Sequence, residues 1–136
     1  MHVHHVAILA HDVARVAAFY AEVLGLEAVA PPRSGVAWFR VGGTLLMIEP
    51  SSAGVAMASD SLDQTRERIG ARGHPGGETG LQVLALGIAP NARASWRERL
   101  RAKGVEVTNE TPFTLYVRDP EGNRVGLSHW PDPAPE

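Results

Sequence analysis

A β-strand is predicted at the start of the chain, where the side chains alternate between two kinds of position. Val6 and Ile8 fall on one face of this strand. His5, Ala7 and Leu9 fall on its other face. The strand therefore has one face suited to a hydrophobic core and a second face that carries a histidine.

A helix and a hairpin are predicted after this strand. The helix lies between Asp12, which suits an N-cap, and Gly25, which suits the end of a helix. After a short further strand, residues 36–41 and 44–49 flank a glycine pair at positions 42–43, a strong signal for a hairpin. The first half of the chain therefore has the predicted order β-α-β-β-β.

The second half repeats this order, and the repeat is the most informative feature of the sequence. A strand is predicted over residues 83–88, and Asn91 suits the N-cap of the helix that follows. That helix ends at residues 103–106 (KGVE), which match residues 24–27 (LGLE) after a shift of about 79 positions. The shared ending indicates that the two halves are copies of one module.

The second half also ends in a hairpin, because residues 113–117 and 124–128 flank a turn with the sequence DPEGN. A chain of 136 residues has room for one domain with a shared core. We therefore predict a single α+β domain of two βαβββ modules. Its segments are module one at residues 1–50, a linker at 51–80, module two at 81–130 and a tail at 131–136.

The composition narrows the classes of protein that fit. Apolar residues make up 44% of the chain and charged residues 21%, as in ordinary globular proteins. The absence of cysteine excludes disulfides, thiolate catalysis and cysteine-ligated zinc. A net charge of -2 gives no general attraction to nucleic acid, and no apolar run approaches the roughly 20 residues that cross a bilayer. We expect a cytoplasmic protein without nucleic-acid or membrane partners.

Several short motifs occur in a defined order along the chain. In the first half they are residues 5–12 (HVAILAHD), 19–20 (FY) and 23–26 (VLGL). In the second half they are residues 101–105 (RAKGV) and 118–124 (RDPEGNR). Together these motifs resemble the signatures of the vicinal-oxygen-chelate superfamily, which includes glyoxalases, bleomycin-resistance proteins and extradiol dioxygenases. The resemblance covers nearly the whole chain apart from the linker and the tail.

The resemblance implies a glyoxalase-like fold, in which the mixed sheets of the two modules curl around a shared cavity, and it implies a homodimer. In metal-using members of the superfamily, one ligand comes from the first strand and one from the last strand of each module. The first module holds His5 and Glu49 at these positions. By alternation His5 shares a face with Ala7, and Glu49 shares a face with Met47, so both are expected to point into the cavity.

The second module departs from this pattern. Val83 and Gly126 occupy its two ligand positions, and neither side chain binds a metal. The nearest polar substitutes, Gln82 and His129, lie an odd number of residues away and are expected to face away unless a bulge intervenes. The candidate metal set is therefore incomplete. We expect no tightly bound metal and at most a weakly held divalent ion.

Several candidate residues keep more than one interpretation. His5 is a metal ligand, a base or a hydrogen-bonded histidine of a strand. Trp38, Met47 and Tyr116 are walls of a substrate pocket or ordinary core residues. His129 closes one mouth of the cavity or packs at a dimer contact.

Three functions remain open on the sequence. A lyase or isomerase would act on a small oxygenated substrate, with Glu49 moving a proton next to a carbonyl group and His5 or a metal polarising the oxygen. A metal-free protein of the bleomycin-resistance type would bind and sequester an apolar or aromatic compound. A regulatory or dimerising domain would bind no ligand. The first-module pair favours the enzyme, and the missing second-module ligands favour the binding protein.

Overall fold

The computed structural model describes residues 1–31, 33–51 and 83–132. Most of the predicted linker, Gln82 and the end of the tail lie outside the described residues. The chain divides into two compact units, each of which contains one four-stranded sheet. Within the described residues, no helix is long and apolar enough to cross a membrane.

The first unit consists of one sheet and a helical segment that covers it. Its elements are β1 (His5–Ala10), α1 (Val13–Ala18, continued by a π-helical turn at Phe19–Val23), β2 (Glu27–Val29), β3 (Ala37–Val41) and β4 (Thr44–Pro50). The strand order is β1-β4-β3-β2, with β1 parallel to β4 and the other neighbours antiparallel. The predicted order β-α-β-β-β is confirmed.

The helix of the first unit begins and ends where the sequence predicts. The Asp12 side chain accepts a hydrogen bond of 2.9 Å from the backbone N–H of Arg15 and so caps the helix. Gly25 has a φ of 72°, a conformation that glycine adopts without strain, and the chain leaves the helix there. The rings of Tyr20 and Phe39 lie 6.3 Å apart and join the helical segment to β3. The core of this unit therefore lies between the helical segment and one face of the sheet.

The second unit repeats the arrangement of the first. Its elements are β5 (Leu84–Gly87), α2 (Arg93–Ala102), β6 (Asn109–Glu110), β7 (Thr114–Arg118) and β8 (Arg124–Ser128). The strand order is β5-β8-β7-β6, and β5 is parallel to β8. Both sheets thus have the same order and the same strand directions. This confirms the predicted α+β fold of two βαβββ modules.

The start of α2 differs from the prediction. The expectation that Asn91 caps this helix is wrong, because Asn91 lies inside a 3₁₀ turn formed by Pro90–Ala92. The α-helix begins after that turn and has no side-chain cap. Proline has a fixed φ and no backbone N–H, which suits the first position of a tight helical turn.

The turn between β7 and β8 is built on a buried carboxylate. Asp119 is 4% exposed. Its side chain accepts hydrogen bonds from the backbone N–H groups of Glu121 and Asn123 and from the side-chain amide of Asn123. The turn fixes the register of the hairpin, in which Arg118 lies opposite Arg124.

Candidate functional site

The first sheet has one covered face and one open face. Ile8, Phe39 and Ile48 are buried on the side of the helical segment. Every second residue of β1, β3 and β4 lies on the opposite side, which we call the first open face. Its members include His5, Ala7, Leu9, Trp38, Leu45, Met47 and Glu49. All candidate residues of the first module therefore share one face.

His5 and Glu49 lie at opposite ends of the first open face. In the parallel pairing of β1 with β4, His5 lies opposite Leu45, whereas Glu49 lies opposite Leu9. Four residues of a strand span about 13 Å. Because strand side chains stand roughly perpendicular to the sheet, the imidazole and the carboxylate do not reach a common atom. The structure therefore does not bring these two candidate ligands together.

Each of these side chains has a local partner instead. The Nδ1 atom of His5 lies 3.0 Å from the Nδ1 atom of His4, and both histidines are exposed. The Oε2 atom of Glu49 accepts a hydrogen bond of 3.0 Å from the guanidinium of Arg33. The Glu49 side chain is only 24% exposed, so solvent screens this ion pair less than it would a fully exposed one. The two ends of the face are therefore a histidine pair and an arginine–carboxylate pair.

The middle of the first open face is apolar. Met47 lies opposite Trp38 on one side and opposite Ala7 on the other. Among the described residues, the buried indole Nε1 of Trp38 has no hydrogen-bond partner. A buried N–H group without an acceptor costs about 1–3 kcal/mol. Trp38 therefore holds a buried hydrogen-bond donor that no acceptor among the described residues satisfies.

The corresponding face of the second sheet is charged and closely packed. We call the side of β7 and β8 away from the buried core the second open face. At its centre Tyr116 lies opposite Gly126. The guanidinium carbon of Arg124 lies 3.9 Å from the centroid of the Tyr116 ring, which is a cation–π contact. Thr114 donates a hydrogen bond of 2.9 Å to Ser128 on the same face. The middle of the second open face is thus polar, whereas the equivalent part of the first open face is apolar.

The strand registers show which positions of the two sheets correspond. Ile8 lies opposite Ile48 in the first sheet, and Leu86 lies opposite Leu127 in the second. All four residues are buried. Because the two pairs occupy the same place in the same parallel pairing, they are equivalent positions of the two modules.

This equivalence corrects the alignment of β4 with β8. The sequence motifs predict Gly126 at the position of Glu49. In the structure Gly126 corresponds to Met47, and Ser128 corresponds to Glu49. An error of two residues leaves every side chain on its own face, so the alternation of residues carries no signal of it.

Neighbouring side chains fill the space above Gly126. A Cβ atom there would lie 3.1 Å from Cγ2 of Thr114 and 3.5 Å from both Cγ2 of Val83 and Cε1 of Tyr116. Within the described ranges, no group of three or more histidine, cysteine, aspartate or glutamate side chains is placed to hold a metal ion. The donor set of this part of the chain therefore does not fit the divalent ion of metal-using members of the superfamily.

His129 lies on the core side of the second sheet, away from Tyr116. It is 3% exposed, and its Nδ1 atom faces the backbone carbonyl oxygen of Asp132. Because a carbonyl only accepts, we assign the proton to Nδ1, and Nε2 then accepts from the Arg93 guanidinium 3.4 Å away. The odd spacing of His129 from the open-face positions of β8 accounts for this direction. His129 therefore packs within the second unit and does not line the second open face.

The arginine that contacts His129 also ties α2 to β6. Arg93 donates to the backbone carbonyl of Thr111 at 2.7 Å and to Glu110 at 3.2 Å. A hydrogen bond from Arg97, with smaller effects from the charges of Arg97 and Arg93, lowers the pKa of the Glu110 carboxyl. The cluster is an ion-pair network on the outside of the unit.

Sequence reasoning missed three arginines on or beside the open faces. Arg33 belongs to the loop before β3, where alternation predicts nothing about direction. Arg118 and Arg124 belong to the motif RDPEGNR, which the sequence assigns to a turn. Their even spacing from Tyr116 and Gly126 is the signal that places them on the second open face.

Comparison with known proteins agrees with this architecture. A family model described as Glyoxalase/Bleomycin resistance protein/Dioxygenase superfamily matches residues 2–127. The comparison with curated proteins found no match.

Solved structures share the fold at low sequence identity. A glyoxalase/dioxygenase from Nostoc punctiforme is 20% identical, with a TM-score of 0.72 over 96% of this chain and 92% of that one. A lactoylglutathione lyase from Agrobacterium tumefaciens is 21% identical, with a TM-score of 0.66 over 95% and 93%. The fosfomycin resistance protein FosX from Listeria monocytogenes, complexed with Mn(II) and sulfate, is 19% identical, with a TM-score of 0.63 over 95% and 89%.

Proposed function

We infer that this chain, which belongs to the Glyoxalase/Bleomycin resistance protein/Dioxygenase superfamily, binds a small organic molecule on its first open face without a metal ion held by His5 and Glu49. The observation that carries the proposal is the four-residue offset between these two side chains. The offset leaves an apolar surface between two polar ends. Such a surface suits a ligand with an apolar body better than it suits an ion.

The side chains on this face define the class of ligand. Trp38 and Met47 offer an aromatic ring and a flexible thioether, which adapt to flat or irregular apolar groups. The Arg33–Glu49 pair at one end suits a polar substituent. We therefore propose an aromatic or apolar compound with at least one hydrogen-bond acceptor, sequestered as by bleomycin-resistance proteins.

Calorimetry on protein treated with a chelator tests this proposal. Bleomycin, fosfomycin and S-lactoylglutathione are suitable probes, because the family description and the structural relatives name them or their reactions. We expect the metal-free protein to bind bleomycin, and Trp38→Ala to weaken binding about tenfold or more. Trp96→Phe, on α2, is the matched control and should leave binding unchanged. Binding that requires an added divalent ion, or that Trp38→Ala does not affect, would contradict the proposal.

An enzyme that uses Glu49 alone is the second candidate. The carboxylate is half-buried on the ligand face beside a guanidinium, an arrangement that suits proton transfer next to a polarised carbonyl in a lyase or isomerase. Incubation with S-lactoylglutathione distinguishes the two functions. Turnover that Glu49→Gln abolishes while binding persists would favour the enzyme, and binding without turnover favours the sequestering protein.

The assembly and location of the protein stay predictions. We propose a homodimer, as the resemblance to the superfamily implies, and a cytoplasmic location, as expected from the composition. Each sheet has two edge strands, and dimerisation is one way to cover such edges. Light scattering across the micromolar range should give twice the mass of the chain, and a clean monomer would contradict the dimer.

A further inference from the structure

We propose that the second open face binds the oxyanion group of a small molecule, such as a phosphate, phosphonate or carboxylate, at the guanidinium of Arg124. This site lies on the second sheet, whereas the proposed function is argued from residues of the first sheet. The proposal rests on a juxtaposition: Arg118 and Arg124 are direct cross-strand partners, and neither forms an ion pair with a carboxylate among the described residues.

The Tyr116 ring holds Arg124 in a fixed position. The guanidinium carbon lies 3.9 Å from the ring centroid, and Arg124 is half-buried. Stacking covers one flat side of the guanidinium and leaves the N–H donors at its edge. Two parallel N–H groups at that edge match the two oxygens of a carboxylate or a phosphate. Little side-chain entropy remains to be lost when an anion binds there.

Arg118 adds a second positive charge at the same end of the sheet. Its guanidinium donates a hydrogen bond of 2.7 Å to the backbone carbonyl of Gly122, which is neutral and does not offset the charge. Like charges directly opposite each other destabilise a sheet. The nearby Asp119 carboxylate bonds to groups of its own turn. An oxyanion at Arg124 would relieve the repulsion between the two arginines.

Three other described arginines of the second unit are paired with carboxylates. Arg93 and Arg97 bond to Glu110, and Arg101 bonds to Glu98. These three arginines of α2 are thus matched to carboxylates, whereas the cross-strand pair on the second open face has no carboxylate partner among the described residues. The contrast within one unit indicates that the unmatched charge on this face is available to a ligand.

Nuclear magnetic resonance of the arginine side chains tests the site directly. The Nε–H resonance of Arg124 is followed in Tris buffer during titration with inorganic phosphate and, separately, with phenylphosphonate. We expect saturable shifts of this resonance with both probes. Phenylphosphonate binding about tenfold tighter than phosphate would identify an organic ligand as the source of the anion, because its ring adds apolar contact. Equal affinities would identify a free oxyanion.

Three variants make the result specific. The backbone N–H resonances of Tyr116 and Gly126, which lie beside Arg124 on the same face, are the readout in the variants. Arg124→Gln should abolish saturation, and Arg124→Lys should weaken it about tenfold, because lysine keeps the charge but loses the paired donors. Arg99→Gln is the matched control, since Arg99 also lies over an aromatic ring, at 5.2 Å from Trp96, but on an exposed helix. Circular dichroism of each variant verifies folding.

Two outcomes would overturn the proposal. One is a linear, unsaturated shift of the Arg124 resonance up to about 100 mM probe, beyond the range of specific weak binding. The other is an equal response of Arg99, which would show general screening of surface charge. Neither outcome would affect the proposed function, which is tested by the effect of Trp38→Ala on bleomycin binding.

Discussion

The first and second open faces belong to sheets with the same strand order, but their side chains differ. On the first, Trp38 lies opposite Met47, and on the second Tyr116 lies opposite Gly126 at the same place in the sheet. Both side chains of the first pair are largely apolar, and the indole N–H of Trp38 has no partner in the part of the chain that the structure describes. The ring of the second pair is covered by Arg124. Trp38 thus belongs to an apolar surface, whereas Tyr116 belongs to a charged and closely packed surface.

The difference follows from what each side of a sheet must do. The covered sides hold the residues that fix the register, such as Ile8 with Ile48 and Leu86 with Leu127, and a slip there would expose a buried row. The side chains of the open sides do not fix the register, so they differ between the two modules while the strand register is the same. The fold therefore repeats in the two modules, and the chemistry does not.

The largest effect is expected from filling the space above Gly126. Gly126→Val should lower the free energy of unfolding by about 3 kcal/mol, because its Cβ would meet Thr114 at 3.1 Å and overpacking costs about 1–3 kcal/mol before the two methyl groups are placed. The higher strand propensity of valine, worth about 1 kcal/mol at most, does not offset this. Urea denaturation measures the difference.

Gly87→Ala is the control for this substitution. Gly87 lies on the same open face, and a Cβ there would meet no atom of the described residues within 4 Å. Its replacement should be neutral or stabilise by about 0.5–1 kcal/mol, through the lower entropy of the unfolded chain. Equal effects at the two glycines would mean that the second open face is not closely packed, and the contrast between the faces would fail.

The two hairpins offer the next comparison. Asp119→Ala should destabilise the protein by about 2 kcal/mol or more, because it leaves the N–H groups of Glu121 and Asn123 without their buried acceptor. Gly42→Ala, in the turn of the first hairpin, should cost about 1 kcal/mol, because a φ of 57° strains a residue with a Cβ. Thermal unfolding of both variants ranks them, and a larger loss at Gly42 would reverse the expected order.

The helices and strands could be predicted from the sequence, but the arrangement of the candidate site could not. Alternation and capping residues predict the strands, the helix of the first unit and the repeat, because these depend on local preferences and on which face is buried. The positions of His5 and Glu49 on one face were predictable by parity. The distance between these two side chains was not predictable. It depends on the register of β1 with β4, which are distant in sequence, and the alternation of residues does not distinguish registers that differ by two residues. The ion pair of Glu49 with Arg33 was also not predictable, because Arg33 lies in a loop.

A smaller effect concerns the cation–π contact that distinguishes the second face. A double-mutant cycle of Arg124→Gln with Tyr116→Leu should give a coupling of about 1 kcal/mol, as expected for a partly buried contact at 3.9 Å. The same cycle on Arg99 and Trp96, whose contact of 5.2 Å lies on an exposed helix, should give about half as much. Denaturant unfolding of the four variants in each cycle supplies the values. A coupling for Arg124 no larger than that of Arg99 would mean that Tyr116 does not hold the guanidinium.

The last prediction has the smallest expected effect and bears on the first face: the purified protein should hold far less than one equivalent of divalent metal after dialysis. His5 and Glu49 lie four register positions apart. An ion at either side chain therefore has one protein ligand, and water fills the rest of its coordination shell. Elemental analysis should therefore give the same low value for the wild type, His5→Ala and Glu49→Gln. Leu45→His is the complementary variant, because Leu45 lies directly opposite His5 and a second imidazole there should raise the affinity for Ni²⁺ about tenfold or more. One equivalent of metal in the wild type, lost in both single variants, would mean that the two side chains converge on one ion, and the apolar surface between them would no longer explain the first open face.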